Sequence, residues 1–459
     1  MEAIFHFIAT VNSWVWGPPM MVLLIGTGIW LTVGTHGVQV RQFAHAWRLA
    51  LSGAFRKVDP AAAGSGDITP FQALMTAISA TVGNGNIAGV ATAIALGGPG
   101  APVWMWLTGI VGMATKYSEA LVGVRYREPS PDGTMSGGPM YMLKNGLGQK
   151  WLGWIFALCG AIAAFGIGNM VQANSIALVF RTELGIPVWL TAIGLAVLTW
   201  LVIIGGIKRI ANVAEVLVPV MCLVYFLGGM LIIVARFTEL PAALSLIFSS
   251  AFSGHAAVGG FAGAGVSQAL RFGVARGIFS NEAGIGSAGI AHGAAKTEFP
   301  ARQGNIAMLG VFIDTLIINT ITTLAIILTG TWSTGLTSTS LTAYAFSSVL
   351  GDSGAWIVAF GSVTFGYSTL LTWSYYGSKC MNYLFGVRSA LPYRWLWCFV
   401  IVAGALFSGD VAGVKFIWNF ADTANGLMAI PNLIGLVWVS PRIFRETLDY
   451  QAGSEGYKI

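Results

Sequence analysis

Apolar stretches of about 20 residues recur from one end of this chain to the other, and that is the length an α-helix needs to cross about 30 Å of hydrocarbon. The chain has 459 residues, 55% of them hydrophobic and only 9% charged. Soluble domains run near about 25% charged, so this little polar surface cannot cover a soluble globule of such size, and the solvent must be lipid. Lipid permits helices and closed β-barrels, but a barrel needs alternating segments of about ten residues, which are absent. The expected fold is therefore an all-α polytopic membrane protein. The four cysteines, Cys159, Cys222, Cys380 and Cys398, lie in apolar segments without metal-ligand spacing and read as small core residues. The N-terminal MEAIFHFIATVNSWVW has no basic stretch before its apolar run, so a cleavable signal peptide is not expected.

Polar or Gly/Pro punctuation divides the chain into about 11 expected spans, near residues 14–34, 69–97, 100–124, 151–180, 187–206, 211–235, 260–294, 305–329, 354–378, 395–408 and 411–439. Lys and Arg collect in cytoplasmic loops. With the N-terminus outside, 18 of the 24 Lys and Arg fall in inner loops, from Arg41 to Lys458. The outer loops hold only Arg181, Arg236 and Lys415. An odd number of spans then places the C-terminus in the cytoplasm.

Two of these spans are not plain apolar helices. The second carries Gly83, Asn84, Gly85 and Asn86 at its middle, and the seventh carries Gly277, Ser280, Asn281, Glu282, Gly284 and Gly286. Each glycine disfavours helix by about 1 kcal/mol, and Asn or Ser beside it offers the backbone competing partners. An unwound backbone survives in lipid only where it is buried in protein or lines a polar cavity. Each break is followed by four further spans, so without the first span the remaining ten divide into five plus five of opposite topology. That is the inverted-repeat plan of secondary transporters, whose paired discontinuous helices mark the binding site. The expected organisation is an extra N-terminal helix with a basic loop over 1–68, two five-helix repeats over 69–240 and 241–439, and a cytoplasmic tail over 440–459.

A broken helix exposes unpaired N–H groups at the start of one half and unpaired C=O groups at the end of the other, so it offers an anion site and a cation site together. An amino-acid zwitterion needs both. Its carboxylate is expected on the amides of Gly83 to Asn86, where glycine allows close approach, and its amino group on carbonyls near Phe279 and Ser280. Sodium wants oxygen ligands, which carbonyls near Thr81 and the side-chain oxygen of Asn86 would supply. The competing account is that Gly85-xxx-Gly89 and Gly273-xxx-Gly277 only let helices pack closely.

Charges inside spans are functional suspects. Asp314 sits too deep in its span to reach water and needs an ion or a structural partner, for which Arg276 is the candidate. Glu282 is expected to pair with Arg271 or Arg276, whereas Lys116 and Glu119 lie near a span end and are read as snorkelling to water. Enzyme motifs do not hold up, and no enzymatic activity is expected. GIGSAG (284–289) has the dinucleotide pattern without its βαβ setting, and GSGD (64–67) lies in a polar loop.

The strings GNGNIAGVATAIALGGPGAPVWMW (83–106), SGGPMYML (136–143), GNMVQANS (168–175), VARGIFSNEAGIGSA (274–288) and TWSYYGSK (372–379) together resemble the alanine or glycine:cation symporter family. Val103 departs from it, standing where that family usually has Phe. The resemblance implies a leucine-transporter-type fold and sodium-coupled symport of alanine or glycine across the cell membrane, with sodium as coupling ion and no other cofactor or nucleic-acid partner. It places Asn84, Gly85, Asn86, Gln172, Gly277, Phe279, Thr369 and Trp373 in the substrate pocket. By the same analogy Thr81, Val82, Asn86, Ser368 and Thr369 are the sodium ligands. Gln172 and Asn169 also have the spacing of residues that glue helices together, and Trp373 also suits an interfacial belt. A passive channel or facilitator and a proton-coupled carrier are the alternatives.

Overall fold

The computed structural model describes residues 2–55, 64–252, 265–409 and 411–453. Arg56, Lys57, Lys458 and the start of the seventh expected span, 260–264, lie outside the described residues. The bundle is built from α1 (Glu2–Val15), α2 (Pro18–Gly34), α3 (Pro70–Thr81), α4 (Val90–Gly97), α5 (Ala101–Arg125), α6 (Lys150–Ala163), α7 (Val171–Leu184), α8 (Val188–Ile203) and α9 (Gly206–Ala235). It continues through α10 (Val266–Asn281), α11 (Ser287–Gly293), α12 (Pro300–Val311), α13 (Asn319–Leu328), α14 (Asp352–Phe385), α15 (Ala390–Leu406) and α16 (Val411–Gln451).

Among the described residues, six helical stretches are long and apolar enough to cross a membrane, and the pair α1 and α2, bent by 41°, makes a seventh. The other expected spans fall short of that measure for visible reasons. The α3–α4 and α10–α11 pairs are broken, α8 has 16 residues, and α5 carries Lys116 and Glu119 within an otherwise apolar run.

Both broken helices start and stop where local chemistry dictates. Thr69 caps α3 in a reciprocal box, accepting from the Gln72 amide at 3.1 Å while the Gln72 side chain accepts from the Thr69 amide at 3.1 Å. Pro70 follows at the first helical position, where no N–H is needed. The helix ends at Val82, whose ψ of 91° is extended, and the chain re-enters α4 through a π-helical turn, Gly85–Gly89. The second break turns on three alternate residues of positive φ. Glu282 has φ 57°, Gly284 φ 101° and Gly286 φ 89°, a conformation glycine adopts freely and glutamate adopts only when its surroundings hold it.

The two broken helices lie antiparallel. At one end Asp67 donates its amide to the Ala294 carbonyl at 2.8 Å and Ile68 pairs with Ala295, while at the other end Gly97 lies against Ala269. Their middles meet, with Gly85 against Phe279 and Ser280. Opposite direction with crossing at the breaks is what an inverted pair of repeats produces.

Close packing around the second break depends on absent side chains. A Cβ on Gly123 would collide with the Gly289 backbone, one on Gly273 with the Ala101 carbonyl, and one on Gly277 with the Thr108 hydroxyl. Gly273-xxx-Gly277 is thus a close-approach stripe against α5, as small residues provide in lipid.

Candidate substrate and ion site

Asn86 is the hub of the first break. Its Oδ1 accepts from the Gly83 amide at 2.9 Å, which fixes the carboxamide's orientation and turns Nδ2 toward three other side chains. Nδ2 lies 2.7 Å from Asp314 Oδ1, 2.9 Å from Asn319 Oδ1 and 3.0 Å from Ser280 Oγ. An NH2 group has two hydrogens and cannot satisfy three acceptors fully. Ser280 in turn donates to Asp314 Oδ2 at 2.8 Å, as does Thr315 at the same distance. All five residues are buried. The result is a dry cluster of oxygens with one carboxylate, set where the two broken helices cross.

On the other side of the break, hydroxyls of α14 meet the end of α3. Ser368 Oγ donates to the Ser79 carbonyl at 3.1 Å, and Thr369 Oγ1 lies 3.2 Å from that carbonyl and 3.3 Å from the Ala80 carbonyl. Ser368 and Thr369 are therefore brought to the helix end as expected, but the carbonyls they meet belong to Ser79 and Ala80. The Thr81 hydroxyl turns back onto the Ile78 carbonyl, and Val82 forms the C-cap.

Gln172 also reaches the first break. Its Oε1 accepts from the Asn84 amide at 3.2 Å and from Asn84 Nδ2 at 3.0 Å, while Asn84 Oδ1 accepts from Ser362. Asn169, three residues earlier, donates instead to the Trp397 carbonyl at 2.9 Å. Of that pair, Asn169 glues helices and Gln172 faces the break. Gly85 sits under Phe279, whereas Gly277 faces α5 and does not join this group. Trp373 is fully buried, which removes the interfacial-belt alternative, and its indole donates to Glu282 Oε1 at 2.8 Å.

Three expectations about charge are corrected. Asp314 does not pair with Arg276; Arg276 reaches Asp422 on α16, with its guanidinium 5.4 Å from the Phe279 ring centroid and 5.1 Å from that of Trp418. Glu282 takes neither Arg271 nor Arg276, because its left-handed backbone turns the carboxylate inward to Trp373 and Ser287. Lys116 and Glu119 do not snorkel, each being only 1% exposed. Lys116 Nζ donates to the Asn281 carbonyl at 2.9 Å, and Glu119 Oε1 accepts from the Gly284 and Gly286 amides at 2.9 Å each. A cation on the C-terminal end of α10 and an anion on the amides leading into α11 complement the two broken dipoles.

Sequence reasoning missed Asn319, Ser362 and Thr315. Asp314 and Asn319 are five apart, which on an α-helix separates their side chains. Here Phe312–Ile318 is a π-helical turn, whose i to i+5 repeat brings both onto Asn86.

Residues 1–458 match the profile described as the sodium:alanine symporter family. The chain belongs to that family. The sodium/alanine symporter AgcS of Methanococcus maripaludis is 48% identical over 96% of this chain and 96% of its own length. The probable sodium/glutamine symporter GlnT of Bacillus subtilis is 35% identical over 97% of this chain and 90% of its own. Among solved structures, MhsT in complex with L-phenylalanine superposes with a TM-score of 0.57 at 13% identity, covering 84% of this chain and 99% of that one. At that identity the likeness speaks to the fold alone, which is the leucine-transporter type.

Gly83 offers a direct check on the crowding at the first break. A Cβ there would lie 2.7 Å from Thr369 Oγ1 and 3.5 Å from the Gln172 carboxamide. Gly83→Ala in a family carrier is expected to lower uptake of labelled substrate by about tenfold, the effect of displacing the break by a fraction of an ångström. Uptake equal to wild type at equal protein in the membrane would show that the break tolerates a methyl group there.

Proposed function

We propose that this protein carries a small neutral amino acid, alanine or glycine, into the cell together with sodium by alternating access. The observation that carries this reading is the crossing of two broken helices over an oxygen cluster, Asn86, Ser280, Asp314 and Asn319, with one carboxylate. A hard monovalent cation suits such a set, since oxygen ligands with a single negative charge do not compensate a divalent ion. Sodium at this cluster would neutralise Asp314 and draw the surplus acceptors of Asn86 to itself. Ser368 and Thr369 with the carbonyls ending α3 form a second oxygen group, the one expected for sodium together with Thr81 and Val82.

The substrate carboxylate would lie on the first break. Gln172 Oε1 now accepts from both the amide and the side chain of Asn84, the contacts a carboxylate oxygen would make. Displacement of that carboxamide would couple substrate entry to movement of α7. The amino group would meet the end of α10 beside Ser280, under the wall formed by Phe279 and Trp373. Sodium and substrate would thus share Asn84 to Asn86 on one short segment, and each ligand that holds the segment in the binding arrangement raises the affinity of the other. With the N-terminus outside, as the loop charges favour, Arg276–Asp422 would close the outer path.

Reconstituted into liposomes, the protein is expected to accumulate labelled alanine above the external concentration only under an inward sodium gradient. A channel would only equilibrate. Uptake unchanged when potassium or a proton gradient replaces sodium would remove the sodium assignment. Asn86→Ala is expected to raise the half-saturating sodium concentration by about tenfold, the loss of one or two ligand-ordering hydrogen bonds. An unaltered sodium dependence would take Asn86 out of the ion site.

A further inference from the structure

Buried side-chain amides are almost always hydrogen-bonded, because an unpaired one forfeits its hydration for nothing. Asn425 on α16 breaks that rule. It is 0% exposed, and neither its Oδ1 nor its Nδ2 has a partner. Its position on the helix says what it faces. Trp418, Asn425 and Asn432 are seven apart and so share one stripe of α16. Trp418 packs on Phe279 with ring centroids 5.2 Å apart, and Asn432 donates to the Gly284 carbonyl at 2.9 Å. Asn425 lies between those two contacts and so faces the stretch from Phe279 to Gly284.

Its flank is equally defined. Ala421 lies against Gly166 and Met428 against Gly160, so the stripe's other border is the end of α6 and the π-helical turn Ala164–Met170 that follows it. Trp373 spans the same seam, with its Cβ against Gly168 and its indole on Glu282. The stripe thus places Asn425 between Phe279 on one side and the seam spanned by Trp373 on the other.

We propose that Asn425 reads the substrate's side chain, and that the cargo includes neutral amino acids whose side chain both donates and accepts a hydrogen bond. The free head of Asn425 has one acceptor and one donor group, so its complement is a hydroxyl, as in serine, or a carboxamide, as in glutamine. A carboxylate side chain would need a cation there, and Arg276 is already occupied by Asp422. Alanine and glycine leave Asn425 to a water molecule. This inference rests on the pocket assignment above.

The test is competition against labelled alanine uptake in liposomes carrying the full chain, with serine, glutamine and valine as competitors. In wild type, serine or glutamine is expected to inhibit within about tenfold of unlabelled alanine, and valine far more weakly. In Asn425→Leu the ratio of the serine or glutamine inhibition constant to that of alanine is expected to rise about tenfold, the loss of one substrate hydrogen bond made in a dry site. That ratio does not depend on how much protein is active. Movement of serine alone identifies the hydroxyl, and of glutamine alone the carboxamide. Asn425→Ala is read in the same way if the leucine variant is not inserted. Failure of both competitors in wild type, or an unchanged ratio in the variants, overturns the proposal. Gln172→Ala separates the two readings: it is expected to abolish uptake of every substrate, and its indifference would instead defeat the pocket assignment.

Discussion

Replacing Asp314 by asparagine is expected to lower sodium-driven alanine uptake at least about 100-fold, with the sodium half-saturation rising out of the measurable range. Removing one member of a buried charge pair costs about 3–5 kcal/mol, and each 1.4 kcal/mol is about tenfold in affinity. Asp314 is the carboxylate of the cluster that also holds Asn86, Ser280 and Asn319, so its charge is what would make the cluster favour a cation over water. Folding should survive the change. An asparagine there still accepts from Asn86 Nδ2, and its own NH2 can donate to the Ser280 hydroxyl, so of the bonds to Asp314 the one from Thr315 is lost outright. The checks are a sodium titration of alanine uptake and a melting curve of the purified carrier with and without sodium. Wild type should melt higher in sodium and the variant should not, because a ligand stabilises only the state that binds it. A variant with wild-type half-saturation for sodium would show that the ion sits elsewhere, and the hydroxyls of Ser368 and Thr369 would be the next place to look.

Much of this arrangement can be read from the sequence, and the parts that cannot share a cause. Composition decides the solvent, and clustered glycine with Asn or Ser decides where the helices break, since both are properties of single residues summed locally. The pairing of the breaks follows from counting spans, and the antiparallel contact from Asp67–Ala294 to Gly97–Ala269 agrees with it. Partners across the bundle are a different matter. Asn319 is hidden because the π-helical turn at Phe312–Ile318 alters which residues share a face, and nothing in FIDTLIIN announces that turn. Asp422 is hidden because the arginine it holds is about 150 residues away in sequence, a separation over which no periodicity speaks. Lys116 and Glu119 are misread for an instructive reason. Closeness to a span end suggests snorkelling, but α5 packs so closely through Gly123 that these side chains have backbone groups of the second break to meet instead of water. Of the residues that the family resemblance names, Asn84, Asn86 and Gln172 come together at the first break, yet Gly277 turns to α5, because a motif match carries residue identity and not side-chain direction.

Glu119→Ala is expected to destabilise the carrier by about 3–5 kcal/mol and to leave little of it folded in the membrane. The reason lies in the non-helical stretch from Glu282 to Gly286, which has no helical ladder to use its amides. Glu119 Oε1 accepts from Gly284 and Gly286 at 2.9 Å each and from Asn432 Nδ2 at 2.8 Å, so one oxygen ties the break to both α5 and α16. Truncation leaves the two buried glycine amides without this acceptor, each costing about 1–3 kcal/mol, and leaves Asn432 Nδ2 with only its bond to the Gly284 carbonyl. Glu119→Gln keeps the oxygen and should restore most of the stability, which distinguishes a need for an acceptor from a need for charge opposite Lys116. Expression, monodispersity and melting temperature of the three forms provide the readout. If the alanine variant melts with wild type, the break is held by something other than Glu119. If glutamine is as damaging as alanine, the negative charge of Glu119 is the stabilising element. Either result would bear on transport, because a break fixed by acceptors alone can keep its shape while α10 and α11 rock, whereas one fixed by a buried charge must keep that charge shielded through the cycle.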